Sequence, residues 1–142
     1  MALTWETTFN QLADALLPQV QDIEQVKLTL VAEDSQFTRF NQAKARQTGT
    51  VRSGSLSLTL MGNGRTVSHS LPFTGDKMVD WPALMEALTE LREELPQLPE
   101  DPYLVLPSGD ATSRDVYPGQ LLSPDEVVPT LLPGFDGLDA AG

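Results

Sequence analysis

The stretch "SLSLTLMGNGRTVSHSLPF", Ser55 to Phe73, decides the fold. Leu56, Leu58 and Leu60 alternate with Ser55, Ser57 and Thr59, and beyond the Asn63-Gly64 pair Val67, His69, Leu71 and Phe73 alternate in turn. A period of two sends successive side chains to opposite faces of a strand. Asn-Gly between two such runs predicts a tight hairpin, because a type I′ turn needs positive φ at both central residues.

Toward the N-terminus, "QVKLTLVAE" alternates as well, with Val26, Leu28, Leu30 and Ala32 on one face, and predicts a first strand. "FTRFNQ" predicts a second, short strand, Phe37, Arg39 and Asn41 on one side and Thr38, Phe40 and Gln42 on the other. With "ARQTGTVRSG" continuing the pattern, a meander of three to five antiparallel strands is expected across residues 25 to 73. Before it, Trp5, Phe9, Leu12, Leu16 and Leu17 recur at helical spacing, so residues 5 to 17 read as an amphipathic helix with Thr4 as N-cap and Pro18 as stop. After it, Leu84, Leu88, Leu91 and Leu95 predict a second helix from Asp80, which would cap it, with Pro82 in the first turn and Pro96 as the end. One striped helix on each side of the sheet segment predicts an α+β fold: a two-layer α/β sandwich, residues 1–100, with both helices on one sheet face.

Eight of the eleven prolines fall in residues 96 to 142. Residues 101–142 therefore read as a proline-rich extension, or a linker toward a further C-terminal domain, with one possible short strand from Tyr103 to Leu106.

With 142 residues and 40% hydrophobic content, the chain is expected to close a single core. It has no cysteine, which excludes disulfides, thiolate metal sites and cysteine nucleophiles. Its apolar runs fall short of the ~18–20 residues a membrane span needs, and "MALTWETTFNQ" lacks a signal-peptide pattern, so a soluble cytoplasmic protein without membrane partners is expected. A net charge of -11 argues against nucleic acid as a partner. The charge is segregated: residues 35 to 75 hold five bases and no acid, whereas residues 76 to 142 hold fourteen acids and three bases.

The histidine at position 69 is the only one, and on an alternating strand it reads as a half-buried sheet residue rather than a catalytic base or ligand. "MGNGR" lacks the strand, glycine-rich turn and helix of a phosphate cradle. The pairs Glu93-Glu94 and Glu100-Asp101 read as solvated surface, and the leucine stripe at 84, 88, 91 and 95 as core rather than a partner-helix seam. The basic stretch "SQFTRFNQAKARQTGTVRSG" is less plain. It reads as a solvated sheet face whose long stems cover apolar area, or as an interface facing an acidic partner or the chain's own acidic tail. Phe37 and Phe40 beside Arg39 also fit base stacking, but the acids elsewhere oppose a polyanion.

"FTRFNQAKARQTGTV", "LPFTGD" and "LREELPQLPEDPYLVLP" together resemble the N-terminal domain of the TldD/PmbA (TldE) family, on the TldE/PmbA-like branch, over most of residues 25 to 142. The positions that match are Phe37, Arg39, Phe40, Asn41, Arg46 and Gln47; with Lys44 and Arg52 they form the expected interface or structural signature. The closing "GLDAAG" looks like the start of a longer family segment. The resemblance implies a heterodimer with a TldD-like partner subunit that acts as a zinc metallopeptidase on peptides. It also implies that the H-E-x-x-x-H zinc motif belongs to that partner. This sequence has no such motif, so no catalytic residue and no cofactor are carried over to it. The family's gyrase label describes a genetic effect and does not imply DNA binding. The competing expectation is a free-standing acidic adaptor that recruits protein through Arg39, Lys44, Arg46 and Arg52.

Overall fold

The computed structural model describes residues 4–138. The fold is α+β: a three-stranded antiparallel sheet ordered β1-β2-β3 and three α-helices. The elements run α1 (Trp5–Leu16), β1 (Gln25–Asn41), β2 (Lys44–Gly62), β3 (Arg65–Pro72), α2 (Lys77–Glu94) and α3 (Pro124–Leu131), with single 3₁₀ turns at Leu17–Gln19, Leu95–Gln97 and Leu132–Phe135. The chain divides into two compact units, Met1–Glu33 with Ser53–Pro107, and Asp34–Arg52 with Ser108–Gly142. Among the described residues no helix is long and apolar enough to cross a membrane.

The first unit follows from the quoted stretch. β2 and β3 pair antiparallel with Leu56 opposite Leu71, Leu58 opposite His69 and Leu60 opposite Val67, so one face is apolar. Asn63 and Gly64 take φ of 49° and 70°, the values the hairpin turn demands. Leu56, Leu58 and Leu60 are buried against Leu12 and Leu16 of α1 and Leu84, Leu88 and Leu91 of α2. Each such leucine contributes about 2 kcal/mol by leaving water. On the other face Thr59 and Ser68 bond across the strands at 2.7 Å.

α1 starts where expected, since the Thr4 hydroxyl accepts from the Thr7 amide. Its first residue, Trp5, lies edge-on to Phe73 with ring centroids 5.3 Å apart. A Cβ at Gly54 or Gly75 would meet the Trp5 ring at 2.6 or 2.5 Å, so both positions admit the indole only as glycine.

Several expectations are corrected. "QVKLTLVAE" and "FTRFNQ" belong to one strand of 17 residues, because Glu33-Asp34-Ser35 continues extended instead of turning. No strand forms at Tyr103–Leu106, where the backbone turns at residues 102 and 103 and Asp101 Oδ1 accepts from the Tyr103 amide. The proline-rich extension holds a helix, α3, closed by a capping box of Ser123 and Glu126.

Asp80 does not cap α2. The helix begins one turn earlier, capped by Asp76, whose carboxylate accepts from the Met78 amide; Pro82 therefore lies inside the helix, past its first turn. Asp80 is buried, and its carboxylate accepts from the Thr74 amide at 3.0 Å, the Thr74 hydroxyl at 2.8 Å and the Gly75 amide at 2.9 Å. It thus fixes the "FTGD" turn that delivers β3 to α2. The Thr8 hydroxyl donates to the Gly75 carbonyl at 3.1 Å and ties α1 to the same turn.

Asp80→Asn would turn an amide donor toward this cluster of donors. A buried donor left without an acceptor costs about 3 kcal/mol, and urea unfolding of the variant is expected to show a loss of that size.

Candidate functional site

The basic stretch becomes one hairpin. β1 and β2 meet at a two-residue turn, Gln42-Ala43, with φ of 50° and 55°. Neither residue is glycine, asparagine or aspartate, the residues that ordinarily tolerate this region, and L-residues there cost about 1–2 kcal/mol each. Of the expected signature residues, Phe37, Arg39, Phe40 and Asn41 end β1, while Lys44, Arg46 and Gln47 begin β2, so the turn brings seven of the eight together. Arg52 lies farther along β2, beyond Gln47, and is not part of this cluster. Arg39, Lys44, Arg46 and Gln47 are exposed; Phe40 and Asn41 are half-buried.

The aromatic pair has separate duties. Phe37 lies over Gly49, where a Cβ would stand 2.8 Å from two of its ring carbons. Phe40 stacks at a tilt on Phe135, centroids 4.8 Å apart. Phe135 lies in the 3₁₀ turn after α3, far along the chain from Phe40, and no local periodicity encodes their contact. Within the second unit no described residue is buried, whereas Val116, Tyr117 and Leu121 are largely exposed. A groove of about 510 Å³ runs between Asp34–Gln36 and Gln120–Leu122, with Val127 and Leu131 of α3 along it.

No family model, curated protein or solved structure matches the chain.

His69 lies on the helix-facing side of β3 with one ring nitrogen 3.2 Å from Glu90 and the other 3.4 Å from Glu94, both on α2. The two carboxylates address opposite nitrogens, so no single ion could take all three groups as ligands, and the cluster is a clasp between strand and helix. Among the described residues no group of three or more His, Cys, Asp or Glu side chains is placed to hold a metal ion. Glu93, adjoining that clasp, and Glu100 and Asp101, beyond the helix, are exposed; Asp101 returns a backbone bond to the Gly64 carbonyl at 2.7 Å.

The other charged centre is Glu24 with Arg92, a pair 68 residues apart in the chain. Arg92 Nε and Nη2 each donate to a different Glu24 oxygen at 2.7 Å, Nη2 also reaches the Gln19 carbonyl at 2.6 Å, and the Gln21 amide donates to Glu24 at 2.9 Å. The Arg92 guanidinium holds the Glu24 carboxyl below its ordinary value and is itself raised by the same bond.

Two outcomes follow. Ala43→Gly relieves one positive φ and is expected to stabilise the hairpin by about 1 kcal/mol, read as roughly fivefold slower exchange of the amides of residues 38 to 48. For Glu24, a folded pKa below the unfolded one means stability that is present above about pH 4.5 and lost as pH falls through the folded value. Urea unfolding should thus find Glu24→Gln destabilised at pH 7, the gap to wild type closing in acid.

Proposed function

We propose that this chain is the non-catalytic N-terminal domain of a TldE/PmbA-like subunit, and that its hairpin docks the TldD-like partner subunit of a heterodimeric zinc metallopeptidase that degrades or matures peptides in the cytoplasm. One observation carries this reading. The residues on which the resemblance rests, Phe37, Arg39, Phe40, Asn41, Arg46 and Gln47, flank a single tight turn together with Lys44, and Arg39, Lys44, Arg46 and Gln47 are exposed there. For Arg39, Lys44 and Arg46 no acidic side chain lies within ion-pair distance among the described residues, so an acidic surface on the partner would complete them. The zinc and its ligands would belong to the partner; the His69 clasp does not offer this chain a zinc site of its own.

The test is co-expression with the H-E-x-x-x-H protein of the same genome, followed by size-exclusion chromatography with light scattering. A one-to-one complex that hydrolyses unfolded peptides is expected, with no hydrolysis by this chain alone in the presence or absence of zinc. Arg39→Glu combined with Arg46→Glu should weaken the complex by about tenfold or more, without changing the circular dichroism. Hydrolysis by the isolated chain, or the absence of a complex at tens of micromolar, would overturn the proposal. Recruitment of an unrelated acidic protein through the same arginines, with the TldD-like protein ignored, would establish the free-standing adaptor instead.

A further inference from the structure

We infer that the first unit contains a binding site for a small monocarboxylate with an apolar body, at the end of the sheet marked by the Asn63-Gly64 turn. The inference is independent of the proposed function. A cavity of about 480 Å³ opens there, within the range of small-molecule sites. It is lined by Ile23, Leu60, Gly62, Arg65, Arg92 and Leu95, among others. Leu60 is fully buried, while Ile23 is 67% exposed, an apolar side chain left open at the rim.

Gly62 is a buried part of this wall. It ends β2 ahead of the turn, and its φ is not positive, so the backbone does not call for glycine. A Cβ there would stand 3.1 Å from the Ile23 carbonyl oxygen and 3.6 Å from Leu95. Glycine at this position therefore lets the Ile23 backbone approach the end of β2, which sets Ile23 beside Leu95 at the cavity.

The two guanidinium groups differ in what holds them. Glu24 neutralises Arg92 through two bonds and is itself nearly buried, at 8% side-chain exposure. Arg65 is fixed by backbone carbonyls instead: Nε donates to Leu98 at 2.7 Å and Nη1 to Asn63 at 3.1 Å. Its carboxylate partner is Glu100, 3.1 Å from Nη2 and 70% exposed. An exposed ion pair is readily exchanged for another carboxylate, and a guanidinium already locked in place loses little freedom when it binds one. Arg65 Nη2 is thus the anion-binding group, and Ile23 and Leu95 take the apolar body. Glu24 and Glu100 would repel a dianion, which selects a single negative charge.

The experiment is an amide NMR titration of the whole chain with N-acetyl-leucine and, in parallel, with its uncharged amide, N-acetyl-leucinamide. Saturable shifts at Ile23, Gly62, Asn63 and Leu95 are expected for the acid, with the amide bound about tenfold more weakly, as loss of a charge-assisted bond implies. Arg65→Met should abolish the preference for the acid, and Glu100→Gln, at an exposed position that the fold does not need, should tighten acid binding. Absence of saturable shifts at millimolar acid, equal binding of acid and amide, or shifts confined to other residues would each overturn the assignment.

Discussion

Three leucines on one face of the central strand carry the first unit. Leu56, Leu58 and Leu60 are buried together, and both α1 and α2 cover their face. That shared contact places the helices on the same side of the sheet and leaves Ser55, Ser57 and Thr59 on the other. The remaining devices hold the helices to this face. Gly54 and Gly75 let Trp5 close over one end, Asp80 shapes the turn that brings α2 back, and the Glu24–Arg92 pair joins the segment entering β1 to the last turn of α2. Each is polar or steric detail around a hydrophobic contact that would be degenerate without it.

β3 accompanies β2 only from Ser55 to Gly62. The earlier part of β2, Lys44 to Gly54, has β1 as its sheet neighbour and lacks the leucine alternation, so it buries little. The strand is continuous in backbone terms, yet its two halves answer to different demands. One is fixed by apolar burial; the other keeps Lys44 and Arg46 in water.

What the sequence disclosed was what local periodicity encodes. The Asn63-Gly64 hairpin, α1 with its Thr4 cap, and the stripe of α2 all depend on spacings within one element, and each stands where the pattern places it. The misreadings arise where a local signal competes with a distant partner. Asp80 looks like a cap because an acid precedes Pro82, but the actual start is set by Asp76 and by the left-handed Gly75, φ 81°. Glu33-Asp34-Ser35 looks like a break, but β2 supplies a neighbour that keeps it extended. α3 was legible in principle, since Ser123 followed three residues later by Glu126 is a capping-box spacing, and the prolines around it hid the pattern. Of the candidate site, the signature residues were visible as a cluster of type. The contact of Phe40 with Phe135 and the meeting of Arg65 with Arg92 around one cavity were not, because nothing local encodes them.

The Gln42-Ala43 turn argues that stability alone did not choose this hairpin. The same molecule uses Asn-Gly for its other two-residue turn, where burial of Leu60 and Val67 on either side already favours the pairing. At residues 42 and 43, with no buried neighbour to help, the chain accepts two L-residues in the left-handed region. Such strain persists only when the surroundings enforce the geometry, and it concentrates where geometry serves recognition. Long strands on both sides enforce it here, 17 and 19 residues of extended chain leaving the connection no other length. What the tight turn achieves is proximity: it holds Arg39, Lys44 and Arg46 within a few residues of one another at the end of a ribbon, an arrangement that a longer, relaxed loop would disperse.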